Sequence, residues 1–161
     1  MHKVAVVMGS KSDLPVVQPA IDTLRSFGVT PVVRILSAHR TPAECHAFAS
    51  GARGAGISVI IAAAGKAAHL AGVIAGATTL PVIGLPVLGS AFAGMDSLLS
   101  VVQMPAGVPV ACVAVNGAEN AALLAVQMLA IRDGALAGLL DKHKAEMTSK
   151  VLEANQSVID N

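Results

Sequence analysis

The chain has 161 residues, 11 basic and 10 acidic side chains, a formal net charge of +1, and three Phe with no Tyr or Trp. Nucleic-acid binding needs a basic face, and single-strand binding adds aromatic rings on which bases stack. Neither feature is present, so nucleic acid is not an expected partner.

Residues 3–8 form a short Val-rich run that predicts a buried strand, and residues 14–27 have the spacing of a helix that ends at Gly28. The turn between them, residues 9–13, could hold a phosphate and a ribose hydroxyl. Ser and Asp are also common helix caps without any ligand. The turn lacks the spacing of a Walker loop or of a dinucleotide fingerprint, which argues against ATP hydrolysis and NAD chemistry. Its candidate binding residues are Gly9, Ser10, Ser12 and Asp13.

A second strand over residues 30–36 and a helix over residues 43–53 flank a turn that contains Ser37, His39 and Arg40. A histidine that titrates near neutral pH beside an arginine suits proton transfer next to an anionic substrate. Thr41 followed by Pro42 is also a good helix start, so an ordinary loop is the alternative interpretation.

A third buried strand over residues 57–62 leads into a loop of small residues over 63–72, which opens a short helix to about residue 76. Small side chains leave room for a ligand against the backbone. Lys66 and His69 are the polar side chains of the loop that could contact such a ligand. A histidine that only caps or packs on the helix is an equally supported alternative for His69. The candidate residues of this loop are Gly65, Lys66, Ala67, Ala68, His69 and Leu70.

The remaining pattern continues the alternation of strands and helices. It predicts a strand over 81–87, a loop over 89–94, a helix over 95–103, a strand over 108–115, and helices over 118–131 and 133–159.

Five strands that alternate with helices predict one doubly wound α/β domain over residues 1–161, a flavodoxin-like three-layer αβα fold with a five-stranded parallel sheet. Residues 133–159 would form a long C-terminal helical arm. In the strand order 2-1-3-4-5 the binding crevice opens beside strands one and three. The three turns would then surround one site.

The apolar content is high: 54% of residues are apolar, and the 15 glycines raise the fraction to about 63%, against roughly 45–50% in average soluble proteins. A small domain has too little interior for this much apolar surface. We therefore expect part of it to be buried between subunits of a homo-oligomer.

Membrane insertion would be another use for apolar sequence, since residues 67–95 contain no charged side chain. Pro81, Pro86 and several glycines break this run into pieces shorter than the ~20 residues of a spanning helix. The N-terminus is too short for a signal peptide, and Cys45 and Cys112 form no CxxC pair. We expect a protein of the reducing cytoplasm that does not enter membranes.

Taken together, these motifs resemble the PurE family of purine biosynthesis, the N5-carboxyaminoimidazole ribonucleotide mutases. The matching segments follow the family's order along nearly the whole chain. They are Gly9-Ser10-Lys11-Ser12-Asp13, Ser37-Ala38-His39-Arg40-Thr41-Pro42, Ala67-Ala68-His69-Leu70, Asp96-Ser97-Leu98-Leu99-Ser100-Val101-Val102-Gln103-Met104-Pro105 and Asn120-Ala121-Ala122-Leu123-Leu124-Ala125.

The resemblance implies a rearrangement without cofactor or metal, in which a carboxylate moves from the exocyclic nitrogen to carbon 4 of an aminoimidazole ribonucleotide. It also implies an octamer in which C-terminal helices embrace neighbouring subunits. It suggests Ser10, Asp13 and Arg40 as substrate-binding residues and His39 as the proton-transfer group. Gly9, Ser12 and Ser37 would add substrate contacts, and the loop from Gly65 to Leu70 would wall the carboxylate pocket.

The chain departs from the family at two positions: Lys66 replaces a residue that is often uncharged, and Ala71 replaces a frequent Pro. A carboxylase that adds free CO2 is the alternative chemistry, and a non-enzymatic nucleotide-binding module is the alternative class. Carboxylase-like members tend to carry Lys after the histidine and Gly-Arg-Ser-Asn in the third turn. Arg40 and the segment Gly65-Lys66-Ala67-Ala68-His69 favour the mutase.

Overall fold

The structure is a computed structural model that describes residues 2–89 and 91–159. By internal contacts the chain divides into two compact units, residues 1–126 and residues 127–161. The single domain proposed over the whole chain stays a prediction. The loop predicted over 89–94 includes Ser90, which lies outside the described residues.

Five parallel strands form one sheet, and their order β2-β1-β3-β4-β5 confirms the flavodoxin-like prediction. At the carboxyl end of β1, Met8 lies opposite Ile35 of β2 and Ala63 of β3, so these strands reach the same edge of the sheet. The strands are β1 (Lys3–Met8), β2 (Thr30–Ile35), β3 (Ile57–Gly65), β4 (Val82–Val87) and β5 (Ala111–Cys112).

In the first unit, helices follow the strands and lie on both faces of the sheet, as predicted. The helices are α1 (Leu14–Ser26), α2 (Pro42–Gly51), α3 (Leu70–Ala75), α4 (Met95–Val102), α5 (Ala118–Ala130) and α6 (Gly134–Ile159). A short 3-10 turn, Lys11–Asp13, precedes α1. Gly28 follows α1 in the left-handed conformation, with a φ of 71°, which fits its predicted role in ending the helix.

The core lies on both faces because β1 is apolar at every position after Lys3. Ala5 and Val7 belong to a buried cluster that includes residues of α2 and α3. Val4 and Val6 are also fully buried, and the alternation of a strand directs them to the opposite face.

Two strands differ from the prediction. β3 runs to Gly65, three residues further than expected, because Ala64 and Gly65 still pair with β4, so the loop begins at Lys66. The fifth strand was predicted over 108–115 and is only two residues long. Pro109 has no backbone N–H and cannot donate a hydrogen bond to a neighbouring strand. In addition, β5 is an edge strand that pairs with β4 alone. The loop predicted over 63–72 ends three residues earlier than expected, because α3 begins at Leu70, and the other predicted boundaries lie within two residues of those observed.

None of the helices within residues 2–89 and 91–159 combines the length and the apolar character needed to cross a membrane.

Gly84 lies in the middle of β4 where α4 packs closely on the sheet. A Cβ atom at this position would lie 2.3 Å from Val101 Cγ1 and 3.1 Å from Val110 Cγ1. We predict that Gly84→Ala lowers the free energy of unfolding by about 1–3 kcal/mol, because the helix must shift to admit the methyl group. Chemical denaturation monitored by circular dichroism measures this change.

Gly138→Ala in α6 provides the matched control, since no atom of the described residues beyond its chain neighbours and its own helix backbone lies within 4 Å of the added Cβ. It should be neutral, or stabilising by up to about 1 kcal/mol, because alanine has the higher helix propensity. If Gly84→Ala and the wild-type protein were equally stable, the close packing of α4 on the sheet would not depend on the absence of a side chain at this position.

Candidate active site

One cavity of about 760 Å³ opens at the carboxyl edge of the sheet, where β1, β2, β3 and β4 end. This volume lies within the range of small-molecule sites. Residues from all four strand ends line it: Gly9, Ser10, Ser12, Asp13, Val16, Ser37, Ala38, His39, Arg40, Ala64, Gly65, Lys66, Ala67, Leu70, Val87, Leu88 and Gly89.

The turn after β1 is held by a closed set of hydrogen bonds. The Ser10 backbone N–H donates to the Asp13 carboxylate at 3.1 Å, and Ser10 Oγ accepts from the Ser12 N–H at 3.3 Å. The Ser12 hydroxyl donates to Ser10 Oγ at 2.9 Å. Ser10 thus caps the 3-10 turn, and the Asp13 side chain completes its capping box and makes no cap hydrogen bond to α1. These bonds fix the hydroxyl and carboxyl groups of the turn relative to one another.

Burial raises the pKa of the Asp13 carboxyl above its ordinary value of 3.8. Hydrogen bonding from the Ser10 backbone and the Ser12 side chain, and the positive charge of Arg40, oppose this rise without cancelling it. The folded protein therefore destabilises the charged form of Asp13 relative to the unfolded chain.

Arg40 joins the second turn to the first. Its Nη2 donates to the Gly9 carbonyl oxygen at 2.9 Å, and its Nε donates to Ser37 Oγ at 3.3 Å. Among the described residues, these contacts use two of the five N–H donors of the guanidinium group. The remaining donors are suited to an anionic ligand in the cavity.

Thr41 and Pro42 begin α2 at the predicted position. The Thr41 side chain does not cap this helix and instead turns back to Ser37. Thr41 Oγ1 accepts from the Ser37 N–H at 2.9 Å and donates to the Ser37 carbonyl oxygen at 3.1 Å. This local ring fixes the backbone that carries His39 and Arg40.

His39 and His69 contact each other across the site. His39 Nε2 lies 2.8 Å from His69 Nδ1, and the rings meet edge to face with centroids 4.9 Å apart. One ring must donate a proton along this contact and the other must accept it, so the accepting ring is neutral. The His69 side chain makes no cap hydrogen bond to α3, which favours the chemical interpretation of this residue over the capping one.

Eleven of the thirteen predicted site residues line the cavity, all except Ala68 and His69. Ala68 is 1% exposed and contributes to the packing beneath the loop. His69 reaches the site through its contact with His39. The roles assigned to the eleven lining residues stay predictions.

No site residue was predicted at the end of β4 or in the loop after it, where Val87, Leu88 and Gly89 line the cavity. Buried Ser97 places its hydroxyl 2.9 Å from the Val87 carbonyl oxygen, and Asn116 Oδ1 accepts from the Leu88 N–H at 2.9 Å. The predicted strand order could have indicated these residues, because it places β4 next to β3 and therefore puts the end of β4 at the same edge of the sheet. Val16, Ala38 and Ala64 are further lining residues that were not singled out.

No group of three or more His, Cys, Asp or Glu side chains suited to a metal ion occurs in the described part of the chain. The groups available to a ligand are therefore hydroxyls, imidazoles, a carboxyl and two cationic side chains from Arg40 and Lys66.

Comparison with known proteins identifies the family to which this site belongs. The model of the AIR carboxylase family matches residues 3–150. The chain is a member of this family. An N5-carboxyaminoimidazole ribonucleotide mutase of Brucella melitensis is 53% identical over 152 residues, which cover 93% of this chain and 94% of that protein.

Two further relatives extend the comparison within the AIR carboxylase family. The phosphoribosylaminoimidazole carboxylase of Saccharomyces cerevisiae is 50% identical over 155 residues, which cover 96% of this chain and only 27% of the yeast protein. A crystal structure of Treponema denticola PurE superposes with a TM-score of 0.87 at 28% identity, covering 95% of this chain and 96% of the other.

The raised pKa of Asp13 predicts how this residue affects stability as pH changes. Because the folded state binds the proton more tightly, the contribution of Asp13 to stability falls as pH rises from 3.8 through the higher folded value. Asp13→Asn keeps an oxygen that can accept from Ser10. We predict that it raises the free energy of unfolding near neutral pH, and that this gain disappears in acid.

Urea unfolding at several pH values measures the effect, and Asp141→Asn, at an exposed position of α6, is the control. A loss of stability in Asp13→Asn near neutral pH that disappears in acid would contradict this prediction, because it would show that Asp13 stabilises the turn as a charged acceptor.

Proposed function

We propose that the protein is an N5-carboxyaminoimidazole ribonucleotide mutase of de novo purine (IMP) biosynthesis. This isomerase moves a carboxylate from the exocyclic nitrogen to carbon 4 of the aminoimidazole ring. The observation that carries the proposal is the match with the Brucella mutase, which extends over more than 90% of both chains. The protein called a carboxylase in yeast matches over only about a quarter of its length.

The cavity supports binding of a ribonucleotide at the ends of β1 and β2. Arg40 has unused donors for the phosphate, and the hydroxyls of Ser10 and Ser12 lie in the adjacent turn. The Asp13 carboxyl can accept from a ribose hydroxyl. Gly9 lines the cavity without a side chain, so a ligand can approach the backbone there.

The reaction needs one proton delivered and one removed. When the N-carboxylate leaves as CO2, the nitrogen takes up a proton; when carbon 4 then attacks the CO2, the ring loses the proton of that carbon. His39 can donate in the first step and accept in the second. The His69 contact suits this cycle, because it allows one ring of the pair to be charged while the other accepts its hydrogen bond.

The wall beside His39 supports retention of CO2 between these steps. Ala67, Leu70 and Val87 line the cavity with apolar groups, and Gly65 packs close to β4. Such a surface keeps water from the trapped CO2 and favours attack by carbon 4 over escape. The reaction written this way requires no cofactor.

Two alternatives differ from this proposal in testable ways. A carboxylase would add free CO2 to the uncarboxylated ribonucleotide, and Arg40 following His39 argues against it through the family resemblance. A non-enzymatic binding module would not require a proton carrier in its cavity. The pairing of His39 with His69 at the cavity favours an enzyme.

We also propose a cytoplasmic homo-oligomer, an octamer by family resemblance. Apolar side chains are exposed in both compact units, which supports burial by other subunits. In the first unit they include Leu88, Phe92, Met95, Leu99 and Val102, and in α6 they include Met147, Val151, Leu152, Val158 and Ile159.

We predict that His39→Asn folds and assembles normally but converts the N5-carboxylated substrate about 10²–10⁴-fold more slowly, because the general acid and base is lost. Absorbance of the 4-carboxylated product measures turnover. His46→Asn is the matched control, since His46 is an exposed histidine of α2 outside the cavity. Retention of most activity in His39→Asn would remove the basis of the mechanism, and an inactive wild-type protein would overturn the function.

Assembly provides a separate prediction. Sedimentation velocity at micromolar concentration should show a large homo-oligomer for the complete chain. Truncation after Arg132 removes α6 and should produce smaller species that aggregate, because apolar surface is then uncovered. A stable monomer of the complete chain would contradict the argument from exposed apolar side chains.

A further inference from the structure

Lys66 is the one charged group lining the cavity that has no hydrogen-bond or ion-pair partner among the described residues. Its side chain is exposed and lines the cavity, and it makes no hydrogen bond or ion pair within residues 2–89 and 91–159. Arg40, the other cation of the cavity, is held by Gly9 and Ser37. Lys66 is therefore available to a ligand.

The backbone at Lys66 is unfavourable for a lysine. Its φ of 56° is in the left-handed region, which glycine adopts without strain and a residue with a Cβ adopts at a cost. Glycine would satisfy the local backbone better, so the local fold does not require the lysine side chain. Strain of this kind is found at binding sites.

The residues near Lys66 include a carboxylate, which makes a positive charge favourable at this wall of the cavity. Lys66 Cγ and Asp96 Oδ2 each lie 3.7 Å from the position that a Cβ on Gly89 would occupy. Asp96 Oδ1 is buried and has no partner among the described residues. A carboxylate beside the cavity wall would repel an anionic ligand, so binding an anion at this wall requires a cation that contacts the ligand directly.

The position of Lys66 determines which anionic group of the substrate it can contact. Arg40 follows β2 and Lys66 follows β3, and β1 lies between these strands, so the two loops start about 10 Å apart. Lys66 belongs to the same loop as His69, which contacts the proton carrier His39. A phosphate held near Arg40 would leave Lys66 on the side where the carboxylate reacts.

We propose that Lys66 binds the migrating carboxylate of the substrate and thereby makes the site selective for carboxylated over uncarboxylated aminoimidazole ribonucleotide. This inference rests on the proposed function and adds a specificity-determining residue to it. Lys66 neutralises the carboxylate in the bound nucleotide, whereas Arg40 and the turn after β1 bind the phosphate and ribose common to both ligands.

Calorimetry on the complete protein tests the assignment with two nucleotides, the 4-carboxylated product and the uncarboxylated ribonucleotide. In Lys66→Gly, which suits the backbone, the affinity for the carboxylated nucleotide should fall at least about tenfold, as expected for a lost charge-assisted hydrogen bond. Affinity for the uncarboxylated nucleotide should stay within about twofold, because it has no group for Lys66 to contact.

Two variants serve as controls. Lys66→Arg should keep the selectivity because it keeps the charge, and Lys11→Met should keep it because Lys11 lies outside the lining of the cavity. Equal losses for both nucleotides in Lys66→Gly, or no loss for either, would overturn the assignment while leaving a wild-type protein that turns over its substrate. A wild-type protein that binds neither nucleotide would overturn the proposed function and this assignment with it.

Discussion

The parallel direction of the strands is the constraint on which the site depends. Because β2, β1, β3 and β4 lie side by side and run the same way, their carboxyl ends meet at one edge of the sheet. Turns that are far apart in sequence then become neighbours. Each turn contributes different chemistry: hydroxyls and a carboxyl after β1, an imidazole and a guanidinium after β2, and a cation with small apolar groups after β3.

Contacts between the turns convert this proximity into a defined geometry. Arg40 reaches over the end of β1 to the Gly9 carbonyl, and His39 reaches to His69. The end of β4 is fixed by the buried hydroxyl of Ser97, which donates to the Val87 carbonyl, and the loop after it is fixed by Asn116, which accepts from the Leu88 N–H. These hydrogen bonds between protein groups fix the side chains of the site relative to one another, which is the condition for efficient positioning.

The sequence predicted the parts of the fold in which local pattern and tertiary environment agree. The apolar run of β1 and the Thr41–Pro42 start of α2 could be placed because their signals lie within a few residues. The short β5 depended on its position at the sheet edge, and the contact between His39 and His69 joins residues 30 apart in sequence. Such contacts follow from the geometry of the assembled sheet, which residue spacing along the chain does not specify.

The central claim is that the carboxylate moves within the site from nitrogen to carbon 4. The most direct test gives the protein N5-carboxylated substrate in buffer that contains isotopically labelled bicarbonate, and follows the label in the product during the first turnovers. The account predicts mainly unlabelled carboxylate at carbon 4, because CO2 released in the cavity is captured before it exchanges with the solution. Product that carries label at the isotopic fraction of the bulk pool from the start, or that forms only when bicarbonate is added, would contradict it.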